Sequence, residues 1–195
     1  MERIIYFDLE TKYSAEEVGG WENIEDMGMS VGVIWDSVDQ QFSVYLDHQT
    51  NELVEHCKRS DQIVGFNHVS FDYRVLAGAC HAEAQMRSRL HTELAGLNNL
   101  DMLVELKKVL GHRLKLESVA RSTLGTGKSA DGLQALKWYR EGQYTTKLSN
   151  IARLMLKSHV TCISMLLSMG SFIMTHAQVS RQLKLTGNLN LRKKK

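Results

Sequence analysis

Proline is absent from the 195 residues of this chain, although an average usage of about 5% would give roughly ten. Cysteine is scarce, and its three scattered residues show no paired spacing, which argues against a disulfide framework and suits a reducing compartment. The longest apolar run near the C-terminus, Ile163–Met174, is far shorter than the ~20 residues of a membrane helix. No basic region followed by an apolar stretch opens the chain. We therefore expect a cytoplasmic protein without a membrane partner.

Acidic residues are missing from the last part of the chain. Residues 1–150 carry 16 Lys and Arg against 22 Asp and Glu, a net charge of −6, whereas residues 151–195 carry 8 basic and 0 acidic residues, a net charge of +8. The length and the 43% apolar content are ordinary for one globular domain. The two parts differ in kind, and we predict the folded domain in residues 1–150.

Short β-rich runs come first along the chain, and helical patterns follow. Two of the first three strands are joined at Ser37–Gln40 as a hairpin, and alternation of helix and strand comes next. This order predicts an α/β fold, in which helices cover a mixed sheet of three antiparallel strands followed by parallel ones. The predicted strands are Arg3–Glu10, Met29–Asp36, Gln41–Asp47 and Gln62–Asn67; the predicted helices are Asn51–Ser60, Ser70–Cys80, Met102–Leu110, Leu116–Leu124 and Ala130–Tyr139; Ala82–Asn99 is expected to contain a loop.

Three carboxylates carry the chemistry of this pattern. Asp8 and Glu10 lie two apart on the first strand and project from one face, where they repel each other unless a cation neutralises them. Asp72 follows Asn67 by five residues, at the start of the next helix, and reaches the same point if the fourth strand lies beside the first. The plainer alternatives are a solvated strand end for the pair and a helix-start acid for Asp72. Convergence of all three would suit Mg²⁺ or Mn²⁺.

The same residues resemble a known family. The stretch from Phe7 to Thr11 is similar to the first motif of DEDD-type 3′–5′ exonucleases of the ribonuclease H-like fold, and the stretch from Gly65 to Asp72 is similar to the second. The closer resemblance is to a bacterial branch of predicted nucleases with YprB-like ribonuclease H-like domains. It runs from about Ile4 to Gln143, roughly three quarters of the chain. Further similar stretches are Gly19–Trp21, Met27–Ser30, Asn99–Met102 and Ala130–Ala135.

The resemblance implies two-metal hydrolysis of phosphodiesters from a 3′ end of DNA or RNA, with a helicase as a further partner. Asp8 would bridge two Mg²⁺ or Mn²⁺ ions, Glu10 would hold the ion near the attacking water, and Asp72 would hold the other ion. The substrate-binding residues would be Asn67 and Phe71, although filling the core beneath its helix is the favoured alternative for Phe71.

The fourth carboxylate of the family pattern has no clear counterpart. The best alignment puts His159 in its place and Met155 in the place of the family's tyrosine, and neither substitutes well, because an imidazole brings no negative charge and methionine cannot accept a proton. No acid follows Glu141, so only an earlier acid, Asp101 or Asp131, could take over. If none does, the chain is a catalytically inactive ribonuclease H-like module that binds nucleic acid or a helicase.

Residues 151–195 depart from the resembled family. A shifted reading of permitted codons over Ile163–Gly187 yields fragments like the family's usual ending. We therefore advance the hypothesis that this basic segment is an out-of-frame remnant, disordered or loosely docked, which the nucleotide sequence would test.

Three other patterns have plain interpretations. Leu124–Ser129 lacks the first glycine and the preceding strand of a phosphate-binding loop. Cys80, His81 and His91 lack zinc-ligand spacing. A basic patch around a helix end could follow a phosphate backbone, but a solvated surface accounts for it as well. Its members are Lys107, Lys108, Arg113 and Lys115.

Overall fold

The structure of the protein is a computed structural model that describes residues 2–115, 136–137 and 139–141. Its centre is a five-stranded sheet in which β1, β2 and β3 are antiparallel neighbours and β4 and β5 run parallel to β1, in the order β3-β2-β1-β4-β5. This is the predicted α/β architecture. The strands are β1 (Ile4–Thr11), β2 (Met29–Asp36), β3 (Gln41–Leu46), β4 (Gln62–Gly65) and β5 (Asn99–Asp101).

The helices are interleaved with the strands along the chain. No described helix is long and apolar enough to span a bilayer. The helices are α1 (Thr50–Lys58), α2 (Asp72–Cys80), α3 (Ala84–Ala95) and α4 (Met102–Leu110), and 3₁₀ helices cover Trp21–Asp26 and Asp47–Gln49. The predicted helix Leu116–Leu124 and the basic segment 151–195 lie outside the described residues, and Ala130–Tyr139 is described only at residues 136–137 and 139, which are helical.

Strand β1 is covered on both faces, which explains its continuous apolar run. On one face Ile5, Phe7 and Leu9 enter the main core, where the ring of Phe7 stacks on that of Tyr73 from α2 at 6.1 Å between centroids. On the other face Tyr6 is buried edge-on against Trp35. The strand therefore holds the side chains of its last residues in fixed positions.

A buried polar network joins β2, β3 and α1 at the start of β1. The carboxylate of Asp36 pairs with Nε2 of His56 at 3.0 Å and with the guanidinium of Arg3, and Nδ1 of His56 lies 2.5 Å from the hydroxyl of Tyr45. Asp36 pairs with Ile5 in the sheet, so this network lies at the end of β1 opposite to Asp8 and Glu10. It holds the hairpin to α1 and is separate from the predicted site.

The stretch Ala82–Asn99 contains loop residues, as expected, but only at positions 82–83 and 96–98, and the rest of it forms α3 and the start of β5. Helix α3 buries only Leu90 and Leu94, so its apolar periodicity is too weak to show in the sequence. Strand β5 is three residues long and is defined by its pairing with β4 rather than by its own pattern.

Several predicted boundaries also move by one or two residues. Strand β4 ends at Gly65 rather than Asn67, because Asn67 has a φ of +64° and leaves the extended conformation. Helix α1 begins at Thr50, and Asn51 lies inside it rather than capping it.

Candidate functional site

The candidate site lies where β1 extends beyond its parallel neighbour. Pairing between β1 and β4 ends at Tyr6 opposite Val64, and β1 continues to Thr11. Asp8 and Glu10 lie on this extension, and their Cα atoms oppose Val33 and Val31 of β2. They alternate with Leu9, so both side chains leave the strand on the face away from the main core. Asp8 is partly buried and Glu10 is buried.

Asp72 occupies the space that β4 leaves empty beside β1. It is the first residue of α2, and its Oδ1 accepts a hydrogen bond from the backbone N–H of Leu9 at 3.2 Å. The N–H of Leu9, which has no partner in β4, is thus satisfied by the carboxylate of Asp72. The prediction that β4 lies beside β1 and brings Asp72 to the pair agrees with this geometry, and the side chain is buried.

The three carboxylates perturb one another. Burial raises the pKa of Glu10 to about 8, and the charge of Asp72 adds to the effect. Burial, followed by the charge of Glu10, raises the pKa of Asp8 well above its ordinary value. Burial, followed by the charge of Asp8, does the same for Asp72, against the opposing hydrogen bond from Leu9. No described cation forms an ion pair with any of the three, so the described part of the chain supplies the cluster with no positive partner.

The donor set suits a hard divalent cation. Carboxylate oxygens are the ligands that Mg²⁺ and Mn²⁺ prefer, and mutual repulsion is what such an ion would relieve. Within the described residues, however, no group of three or more His, Cys, Asp or Glu side chains is arranged to hold a metal ion. The chemistry of the cluster therefore fits a metal, whereas its arrangement is not that of a closed coordination shell.

Asp101 lies beside this cluster but has other partners. It ends β5 and caps α4, with Oδ1 accepting from the N–H of Leu103 at 3.0 Å and of Val104 at 3.4 Å. The same oxygen accepts from the N–H of Asn67 at 2.9 Å, and Oδ2 accepts from that of Val69 at 3.3 Å. Asp101 is therefore the N-cap of α4, and the two contacts with the β4–α2 loop are additional.

Asn67 and Phe71 flank the cluster on the β4–α2 loop. The side-chain Oδ1 of Asn67 accepts from the guanidinium of the exposed Arg113 at 3.4 Å. Phe71 immediately precedes Asp72, packs partly against the main core and lies 6.3 Å from Trp21 between ring centroids. The indole of Trp21 is 67% exposed. Phe71 thus takes part in the core and also contacts an open aromatic surface beside the site.

The 3₁₀ helix that carries Trp21 is attached tightly to α2. The guanidinium of Arg74 forms two 2.7 Å hydrogen bonds with the carboxylate of Glu25 and a third, of 2.9 Å, with the carbonyl of Glu22. A Cβ on Gly78 would lie 1.7 Å from the carbonyl oxygen of Glu25, so only glycine permits this approach. Trp21 is therefore exposed on a rigid support. The sequence points to this feature only in that Gly19–Trp21 is one of the stretches similar to the resembled family.

The family of the chain follows from its match to a family model. The model RNase_H_2, of the RNase H superfamily, matches residues 5–157. This chain belongs to the RNase H superfamily. Its fold is similar to that of the family B DNA polymerase from the hyperthermophilic archaeon Pyrobaculum calidifontis, with a TM-score of 0.58 and 17% identity over 83% of this chain and 24% of the polymerase. This chain thus corresponds to a minor part of that polymerase. None of the curated proteins matches it.

Membership of the RNase H superfamily confirms the predicted fold and supports a nuclease-type function. Two of the candidates for the fourth position, Asp131 and His159, lie outside the described residues, as does the stretch Leu124–Ser129. His91 contacts the carbonyl oxygen of Val69 at 3.0 Å. In the basic patch, Lys108 pairs with Glu105 at 2.7 Å.

Proposed function

We propose that this RNase H superfamily chain is a metal-dependent 3′–5′ exonuclease of the DEDD type, in the YprB-like branch. The observation that carries the proposal is the hydrogen bond from the N–H of Leu9 to Asp72 at 3.2 Å, which brings the Asp72 side chain to the strand between Asp8 and Glu10. Such a cluster costs folding free energy without a cation, and the family match makes phosphodiester hydrolysis the chemistry that would use one.

Asp8, Glu10 and Asp72 would hold two Mg²⁺ or Mn²⁺ ions. When bound, such ions lower the pKa of a coordinated water and stabilise the charge on the attacking and leaving oxygens of a phosphoryl group. The carboxylates orient the site, because each is attached to a rigid element: two to the covered strand β1, and one to the first turn of α2.

The nucleic-acid end would lie over the β4–α2 loop. Asn67 presents its side chain there, and Phe71 has an aromatic face towards Trp21 on which a base could stack. Arg113 adds a positive charge beside Asn67, where a phosphate would pass. The polymer is DNA or RNA with a free 3′ end.

A second candidate function is a catalytically inactive module that binds nucleic acid or a helicase. Two observations favour it: no described group of three acids is arranged to hold a metal, and the sequence has no acid after Glu141 for the fourth position. The remaining fourth candidates are Asp101, Asp131 and His159.

The test is Mn²⁺-dependent digestion of 3′-recessed and single-stranded oligonucleotides, labelled at the 5′ end, in DNA and RNA forms. The full chain is compared with Asp8→Ala and with Glu16→Ala, an exposed loop acid. Stepwise shortening from the 3′ end that Asp8→Ala abolishes and Glu16→Ala retains supports the exonuclease. Equal, negligible digestion by all three proteins with retained oligonucleotide binding supports the inactive module.

A further inference from the structure

Asp101 stands out among the acids near the site because both of its carboxylate oxygens accept backbone hydrogen bonds. A carboxylate offers about four lone-pair directions. Four backbone N–H groups point at them, from Asn67 and Val69 in the β4–α2 loop and from Leu103 and Val104 in the first turn of α4. Three of these bonds fall on Oδ1, which has no lone pair left for a metal, and the fourth falls on Oδ2. Asp101 is also close enough to Asp72 to affect its ionisation.

The loop that Asp101 contacts leads directly to Asp72. Asn67 has a φ of +64°, a conformation that an L-residue adopts at a cost unless it is held. Asp101 holds its N–H, and the carbonyl of Asn67 accepts the N–H of Phe71 at 3.0 Å. The next residue, Asp72, begins α2 and receives the N–H of Leu9. A chain of hydrogen bonds therefore runs from Asp101 through the loop to the carboxylate cluster.

The underside of the loop is held by a buried network. His68 is fully buried, and its Nε2 lies 3.1 Å from Oδ1 of Asn99, which also accepts the hydroxyl of Tyr73 at 2.6 Å. The amide of Asn99 donates to the carbonyls of Leu94 and Leu97, so its oxygen must face His68. Nε2 of His68 therefore carries the proton.

The other nitrogen of His68, Nδ1, has no hydrogen-bond partner among the described residues and lies 3.7 Å from Oδ2 of Asp101. A buried acceptor facing a carboxylate is unfavourable by itself. The same ring holds the loop through the contact of Nε2 with Asn99, while Asp101 holds the loop through the N–H groups of Asn67 and Val69. The fold thus maintains a local cost in order to keep the β4–α2 loop in one conformation.

From these contacts we infer that Asp101 is a positioning residue that fixes the β4–α2 loop, and through it Asp72, rather than a fourth metal ligand. The assignment of a metal to Asp72 rests on the proposed function, whereas the hold on the loop does not. The two parts can therefore be tested separately.

Two substitutions at one position separate the loop contacts from the helix cap. Asp101→Ser keeps a side-chain acceptor for the N-terminus of α4 but is too short to reach Asn67 and Val69. Asp101→Asn keeps the acceptor for Asn67 and α4, and its NH₂ group faces Val69 and the unpartnered Nδ1 of His68. Asp72→Asn is the reference for loss of a true ligand.

The first measurement is residue-resolved amide hydrogen exchange by NMR on the full chain, without metal. In Asp101→Ser the amides of Asn67 and Val69 should exchange about tenfold faster, whereas that of Leu106 within α4 should be unchanged, since local opening costs only as much as the contacts that hold the segment. In Asp101→Asn only Val69 should change. Wild-type exchange at both loop amides in Asp101→Ser would overturn the inference.

The second measurement is Mn²⁺ affinity by titration calorimetry. Loss of an outer partner of a ligand lowers metal affinity by about 10-fold or more, so Asp101→Ser should weaken Mn²⁺ binding to that extent. Asp101→Asn should bind nearly as the wild type does, and Asp72→Asn should lose binding. If Asp101→Asn loses binding as completely as Asp72→Asn, Asp101 is a ligand and the inference is wrong. If the wild type binds no Mn²⁺, the proposed function fails, and the exchange rates alone decide the role of Asp101.

Discussion

Replacing Glu10 by Gln should stabilise the metal-free protein above neutral pH. Glu10 is buried, and burial together with the charge of Asp72 raises its pKa from an ordinary 4.5 to about 8. Between those two values the folded chain binds a proton that the unfolded chain does not. The free energy of unfolding of the wild type therefore falls as the pH rises through this window. Glutamine cannot ionise, so Glu10→Gln removes the contribution of this group to the pH dependence of the free energy of unfolding.

The size of the effect follows from the same two pKa values. Each pH unit between them costs up to about 1.4 kcal/mol, so the wild type should lose about 3 kcal/mol between pH 4.5 and pH 7, with a ceiling near 5 kcal/mol above pH 8. Asp8 and Asp72 share the proton with Glu10, which spreads the loss among the three groups. We therefore expect Glu10→Gln to be more stable than the wild type by about 1–3 kcal/mol at pH 8 and by little at pH 5.

The assay is urea unfolding followed by circular dichroism at pH 5, 7 and 8, in EDTA and again with Mg²⁺. Glu16→Gln, at an exposed acid of the β1–β2 connection, is the matched control and should follow the wild type throughout. Mg²⁺ should raise the midpoint of the wild type and not that of Glu10→Gln, because an ion that binds only the folded state stabilises it. A wild type whose stability is flat or rises from pH 5 to pH 8, or a Glu10→Gln chain that is destabilised equally at every pH, would refute the reasoning.

Three further predictions concern the surroundings of the site and the opposite end of the sheet. Trp21→Ala should lower the affinity for a single-stranded oligonucleotide by about 5- to 100-fold, because the exposed ring beside Phe71 can stack on a base. The affinity is measured by fluorescence anisotropy in Ca²⁺, and that of Trp21→Phe should be intermediate. Equal affinities for the three proteins would contradict this role. The hydrogen bond from His56 keeps the pKa of Asp36 below its ordinary value despite burial, so the wild type should lose stability as the pH falls below about 4, and Asp36→Asn should lack that part of the acid-induced loss in a melting series. Gly78→Ala should destabilise the fold by about 1–3 kcal/mol or more in urea unfolding, because the new methyl group would overlap the backbone of the 3₁₀ helix that carries Trp21.

Much of the site could be read from local sequence, because its signals are local. The alternation along β1 places Asp8 and Glu10 on one face, and the β4–α2 transition places Asp72 in a first helical turn. Their convergence required one further step, the parallel pairing of β1 with β4, which the order of elements suggests. The Asp101 cap of α4 was also readable, since an acid before an apolar helix is a local signal.

The remaining features depend on contacts between distant segments. Asn99 belongs to a strand of three residues, and its side chain matters only because His68 and Tyr73 reach it from a different element. The bonds from Asp101 to the β4–α2 loop join residues more than thirty positions apart. The hydrophobic periodicity of the sequence does not reveal such pairs, which is why α3 cannot be predicted within Ala82–Asn99 and why Asp101 remains a candidate ligand from the sequence alone.

The carboxylate cluster cannot be explained by stability. Asp72 accepts the N–H of Leu9 at 3.2 Å, but a neutral side chain could accept the same N–H. Asp8 and Glu10 have raised pKa values, so their charged forms weaken the fold at neutral pH. They also lie on a strand whose other residues are chosen for burial, where an apolar or amide side chain would be better tolerated. Buried charged groups that destabilise a fold are typical of functional sites. A divalent cation bound by these carboxylates would offset the destabilisation.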